Sequence, residues 1–178
     1  MKKSIYLAIS VFAYTLSVAQ SQTPPTLKSI LLDQLKTTHN KQEWFVPALN
    51  SVQGLTADQA NWKQGNANHS IAQLVTHLVF WNKDELAKFK GEKKADFNGN
   101  NDETFAATLD KNAWDAAVKQ LDDVLTEWEK AIEAADDAKL QSWYNVISHI
   151  STHNAYHTGQ IIYIRKQQGS WNPDKGVK

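Results

Sequence analysis

Residues 112–135 read NAWDAAVKQLDDVLTEWEKAIEAA. Within them Trp114, Ala117, Val118, Leu121, Leu125, Trp128 and Ile132 recur three and four residues apart, which lines them up along one side of a helix and leaves the charged positions to solvent. A stripe this wide has to be covered by other helices. Upstream, Ile71, Leu74, Val75, Leu78, Leu86 and Phe89 share a face over Ile71 to Lys90, with Ser70 as N-cap and Gly91 as the stop. Downstream, Val146, Ile150, Ile161 and Ile164 predict a helix from Asn145 to Gln168, ending before Gly169.

A first helix follows Pro24 and Pro25, because Leu27, Ile30, Leu31, Leu35, Phe45, Ala48 and Leu49 fall at roughly helical spacing. Pro47 has no amide hydrogen to donate and should kink or end that helix in its last turn. The segment from Gly54 to His69 reads as a connecting loop holding at most one short turn, and Glu92 to Glu103, with Asn98, Gly99, Asn100 and Asn101, as an exposed loop of the kind that rims a pocket. Four amphipathic helices with no strand signal predict an all-α four-helix bundle over residues 26–172, with a short tail at 173–178.

The totals bound the function. A chain of 178 residues with 42% hydrophobic and 21% charged residues suits one soluble domain. Nineteen Lys plus Arg balance nineteen Asp plus Glu, so the basic footprint that nucleic acid requires is missing. The absence of cysteine excludes disulfides, thiolate ligands and a thiol nucleophile, so any metal must be held by nitrogen or oxygen.

Residues 1–19 have the form of a secretory signal. Lys2 and Lys3 precede an apolar run from Ile5 to Leu16, and Ser17-Val18-Ala19 offers small residues at cleavage spacing. That run of about 12 residues is shorter than the roughly 20 that span a bilayer. The expectation is cleavage after Ala19, a spacer over 20–25, and a product free of the membrane in the periplasm or outside the cell.

Six histidines stand out in a chain without cysteine. His153 and His157 are four apart, one turn above another, and with Val146 at zero they lie at about 340 and about 20 degrees, in the middle of the inner stripe. Two unpaired imidazoles in an apolar interior would cost about 1 to 3 kcal/mol each, which a shared metal ion offsets. His77, at the edge of the apolar stripe of the second long helix, supplies a third ligand in this reading. A hydrogen-bonded core role is the alternative for each ring. His149, one turn before His153, suits a proton shuttle or a supporting contact to the ligands. Glu85 lies on an otherwise apolar face, where an ion pair and proton transfer both fit. Trp81, one turn beyond His77, belongs on the pocket wall, whereas Trp62, Trp143 and Trp171 flank helix ends. His39 and His69 are expected to be solvated.

Three stretches resemble the DinB/YfiT-like superfamily of four-helix metal-binding proteins: LTADQANW at 55–62, NHSIAQLVTHL at 68–78, and HISTHNAYHTGQI at 149–161. The resemblance implies His77, His153 and His157 as the metal ligands, with zinc or nickel the usual ion; three imidazoles also suit iron, manganese or copper. Gly159 would let a neighbouring helix approach closely, and Gln160 would point inward and hydrogen-bond within the bundle. Activities in the family are uneven. A metal-dependent hydrolase that activates water at the three-histidine site is the first expectation, because export separates the chain from the largely cytoplasmic thiols that a thiol S-transferase would use. A non-catalytic, metal-stabilised binding or stress protein is the third. The substrate is an unidentified small molecule; the resemblance allows a homodimer, although no exposed apolar seam requires one.

Overall fold

A computed structural model describes residues 24–65, 69–92, 97–105 and 108–176. The expected signal at 1–19, most of the spacer and the last two residues of the tail lie outside these. These described residues form six α-helices: α1 (Leu27–His39), α2 (Ala48–Val52), α3 (Ala57–Asn61), α4 (Ile71–Lys90), α5 (Lys111–Ala134) and α6 (Asp137–Gln167), with 3-10 turns at Asn101–Thr104 and Pro173–Lys175. Among the described residues there is no strand, and none of their helices is long and apolar enough to cross a membrane.

The helix starts are local chemistry. Thr26, Thr56 and Ser70 each accept a hydrogen bond from the amide three residues on, and Ser29, Gln59 and Gln73 return one to the cap amide. Gly91, at φ 75°, closes α4 in a left-handed turn that a side chain would strain.

Two expectations about the helices need correction. The first helix does not reach Leu49. It ends at His39 after the poor helix formers Thr37 and Thr38, and Pro47, which also keeps Val46 out of the helical region, starts the separate α2 instead of ending α1. The last helix begins at Asp137, eight residues before Asn145, with Asp136 capping the amide of Lys139. Leu140 is wholly buried, and Trp143 packs on Phe89 from inside α6 instead of flanking its end.

The four long helices form the bundle, α1 and α4 each packing against both α5 and α6. Lys83 bonds Gln120 and Lys90 bonds Glu127 at a constant offset of 37 residues, so α4 and α5 run parallel, which the long crossover between them permits. Helices α4 and α6 are antiparallel, since Phe89 meets Trp143 while His77 meets His153 and His157. Trp128 fills the centre and donates its indole N–H to the carbonyl of Asn82 at 3.1 Å.

His39 is not solvated: it is 1% exposed, with Nδ1 at 2.7 Å from Glu129 and Nε2 at 2.9 Å from Asp122, both on α5. Its place four residues beyond Leu35 on the buried stripe of α1 is the reason. Gly159 is exposed, and a Cβ there would meet nothing within 4 Å, so no helix closes on it.

The rung that aligns α4 with α6 is a pair of amides. Asn82 and Asn154, both 0% exposed, exchange hydrogen bonds of 2.8 and 3.3 Å, and Asn82 also donates to the carbonyl of Leu78. Replacing Asn154 by Ala leaves the Asn82 amide short of a partner and should destabilise the protein by about 1 to 3 kcal/mol. Urea unfolding followed by circular dichroism measures this, and an unchanged midpoint would remove the pair from the account.

Candidate metal centre

Two facing helices build the site. On α4, His77, Trp81 and Glu85 follow at four-residue steps and therefore share a face; on α6, His149, His153 and His157 do the same. The antiparallel pairing sets His77 against His153 and His157 and carries Glu85 toward the level of His149. One nitrogen from each of His77, His153 and His157 lies within 4.8 Å of the others. The Nε2 atoms of His77 and His153 are 3.1 Å apart. Two nitrogens bound at the usual zinc distance in a tetrahedron are separated by about 3.3 to 3.4 Å, so the spacing fits a common ion.

Hydrogen bonds on the outer side of two rings fix which nitrogen faces inward. Thr104, buried at the end of the crossover turn, donates its hydroxyl hydrogen to the carbonyl of Asn101 at 2.6 Å. Its oxygen is left to accept from Nδ1–H of His77, so the Nε2 of that ring carries a lone pair. Gln160 Oε1 likewise accepts from Nδ1–H of His157 at 2.6 Å, which leaves the lone pair on the Nε2 of that ring. His153 therefore supplies the hydrogen between its own Nε2 and that of His77, and both lone pairs become available once this ring takes its other tautomer.

Electrostatics favour neutral rings. Burial, followed by the proximity of His157, His153 and His69, lowers the pKa of His77 to about 3. Burial and His157 lower that of His153 to about 4. Burial lowers His157 too, against the opposing hydrogen bond from Gln160. Three neutral nitrogen donors, two of them oriented from behind, suit a divalent transition ion.

The triad opens on a cavity of about 580 Å³. Trp81, Phe105, Val146 and Ile150 form its apolar walls, and Asn101, Glu85 and His149 add polar groups. Trp81 is thus on the wall as expected, and its indole donates to Asn101 at 3.2 Å. Phe105 lies flat against His77, with ring centres 4.1 Å apart. The other face of the Phe105 environment holds His69, stacked at 3.7 Å, so His69 is partly buried instead of solvated. His149 lines the cavity but is exposed, and among the described residues no hydrogen bond joins its ring to the triad. Glu85 lines the cavity while accepting from Lys88 at 2.9 Å, so the ion-pair reading and the cavity reading hold together.

Thr104 and Phe105 were not legible as site residues, because their partner His77 lies far away in sequence, 27 residues from Thr104, and nothing local marks them. The role of Gln160 had a signal: it stands three residues after His157, within reach of that ring on the same helix.

The family model that matches the chain is that of the DinB superfamily, over residues 47–161. No curated protein and no solved structure matches it.

The supporting bonds have a measurable worth. Thr104→Val and Gln160→Ala should each weaken zinc binding by about 10- to 100-fold, read by competition with a chromophoric chelator. Equal affinities in both variants and the parent would remove the orienting role. The metal-free protein should also be acid-sensitive. His77 and His153 titrate below the unfolded value of about 6.5, so the unfolded chain binds protons first and stability falls as pH drops through that value toward about 4. Melting temperatures in EDTA across this range test the sign, and a flat profile contradicts it.

Proposed function

Because the chain belongs to the DinB superfamily and brings three imidazole nitrogens to the edge of an open cavity, we propose that it is a metal-dependent hydrolase using His77, His153 and His157 to hold one divalent ion. Zinc is the first choice, with nickel, iron and manganese after it. The observation that carries the reading is one-sidedness: three ligands converge from α4 and α6, and the cavity occupies the side they leave open. An ion held there would supply Lewis acidity, lowering the pKa of a water and polarising a carbonyl or phosphoryl oxygen of the substrate.

The chain's own groups have separate tasks. Trp81, Phe105, Val146 and Ile150 take the apolar body of the substrate and displace water from it. The amide of Asn101, already accepting from Trp81, offers its nitrogen to a substrate carbonyl. His149, at the solvent-facing end, receives a proton on an imidazole nitrogen and passes it to bulk water. Glu85, held by Lys88, orients a donor group of the substrate. Export, expected from residues 1–19, places this work in the periplasm or outside the cell and supports hydrolysis over thiol transfer.

The test is a screen of nitrophenyl esters, lactones and amides with protein recovered from the exported fraction, whose intact mass should begin at Gln20. Turnover should vanish with chelator, return with zinc and be lost in His153→Ala, while the helical circular dichroism signal persists. Turnover that survives both treatments would defeat the proposal, and turnover that requires an added thiol would transfer it to the S-transferase class.

A further inference from the structure

Beyond His157 along α6 lies a second hollow of about 440 Å³, walled by Tyr156, Gln160, Tyr163 and Ile164 and, from the other side, by His69 and Leu74. Its size is within the usual range for small-molecule sites, roughly 300 to 1,000 Å³. Its polar groups are donors. Oε1 of Gln160 is occupied by His157, so the amide nitrogen is what Gln160 has left to offer, and it has no partner among the described residues. Nδ1 of His69 is buried without a hydrogen-bond partner among the described residues. Orphaned buried N–H groups are rarer than orphaned acceptors, which puts the lone pair there and the hydrogen on Nε2.

Among the described residues no carboxylate lines the hollow. A narrower recess sharing His69, Tyr163 and Ile164 continues it to Lys63. Burial, followed by the nearby charge of Lys63, lowers the pKa of His69, with Asp102 opposing. Tyr156 and Tyr163, each 64% exposed, line the hollow together with the apolar Leu74 and Ile164. Two N–H donors, a nearby ammonium and aromatic faces form a set that complements an anion attached to a flat apolar body.

We propose that this hollow is a binding site for a small aromatic carboxylate, separate from the cavity over the triad. The carboxylate accepts from the Gln160 amide and from Nε2–H of His69, and the ring lies against Tyr156 and Tyr163. Gln160 serves both places, because its oxygen holds His157 while its nitrogen faces the ligand.

Benzoate and its neutral analogue benzamide are the probes, titrated into the full chain in EDTA, so that no ion competes for the carboxylate, and followed by amide and side-chain NMR. Benzoate should saturate, shifting Gln160 and Tyr163 while the indole signal of Trp81 stays in place. Benzamide should bind at least about tenfold more weakly, and His69→Phe, which keeps a ring on Phe105, should weaken benzoate by about the same factor. Tyr163→Ala, at an exposed position that the fold does not depend on, should weaken benzoate as well. Equal affinity for the two probes, unchanged binding in both variants, or shifts confined to Trp81 and His77 would overturn the site. None of these outcomes bears on hydrolysis at the triad.

Discussion

The alignment of α4 with α6 depends on the Asn82–Asn154 amide pair. Two carboxamides without solvent contact must satisfy each other, and each hydrogen bond left unmade would cost about 1 to 3 kcal/mol. Apolar packing alone tolerates small slides of one helix along another; a buried amide pair does not. Moving α6 by one residue turns its side chains by about 100 degrees, which would swing His153 and His157 out of the groove. Asn154 lies one residue after His153, and Asn82 lies between Trp81 and the turn that carries Glu85, so the alignment is enforced beside the rings that need it.

Around that register the protein builds outward in shells. The rings of His77 and His157 are each held from behind by an oxygen, one from the crossover and one from the same helix. Burial then keeps the imidazoles in their neutral, ligating form over the range in which free histidine would be partly charged. Phe105 adds shape, since a ring stacked on His77 limits how that imidazole can tilt. The polar groups at the other end, Glu85 with Lys88 and the exposed His149, are under no comparable constraint.

Much of this could be read from the residues in order, and the failures have physical causes. The stripe on α5 and the limits of α4 were legible because spacing, cap and stop are local: Ser70, Gln73 and Gly91 act within a few residues of the helix they bound. The start of α6 was hidden because Leu140 and Trp143 stand among polar neighbours and Asp136 has no Glu or Gln partner at the capping position. His39 was misplaced because the carboxylates that justify its burial belong to α5, about ninety residues along the chain. The triad was legible through the four-residue spacing on α6 and the direction of that stripe. Thr104 was not, since a threonine acquires meaning as a ring support only after the crossover has brought it to α4.

The distance along the chain between the ligands has its own consequence. His77 and His153 are 76 residues apart, and two of the three candidate imidazoles sit in α6. A chain still being synthesised, or one whose C-terminal helix has come loose, holds a single imidazole at this position and has negligible grip on an ion. A site assembled this way would select its ion only after the polypeptide has folded, from the free ions present where folding finishes.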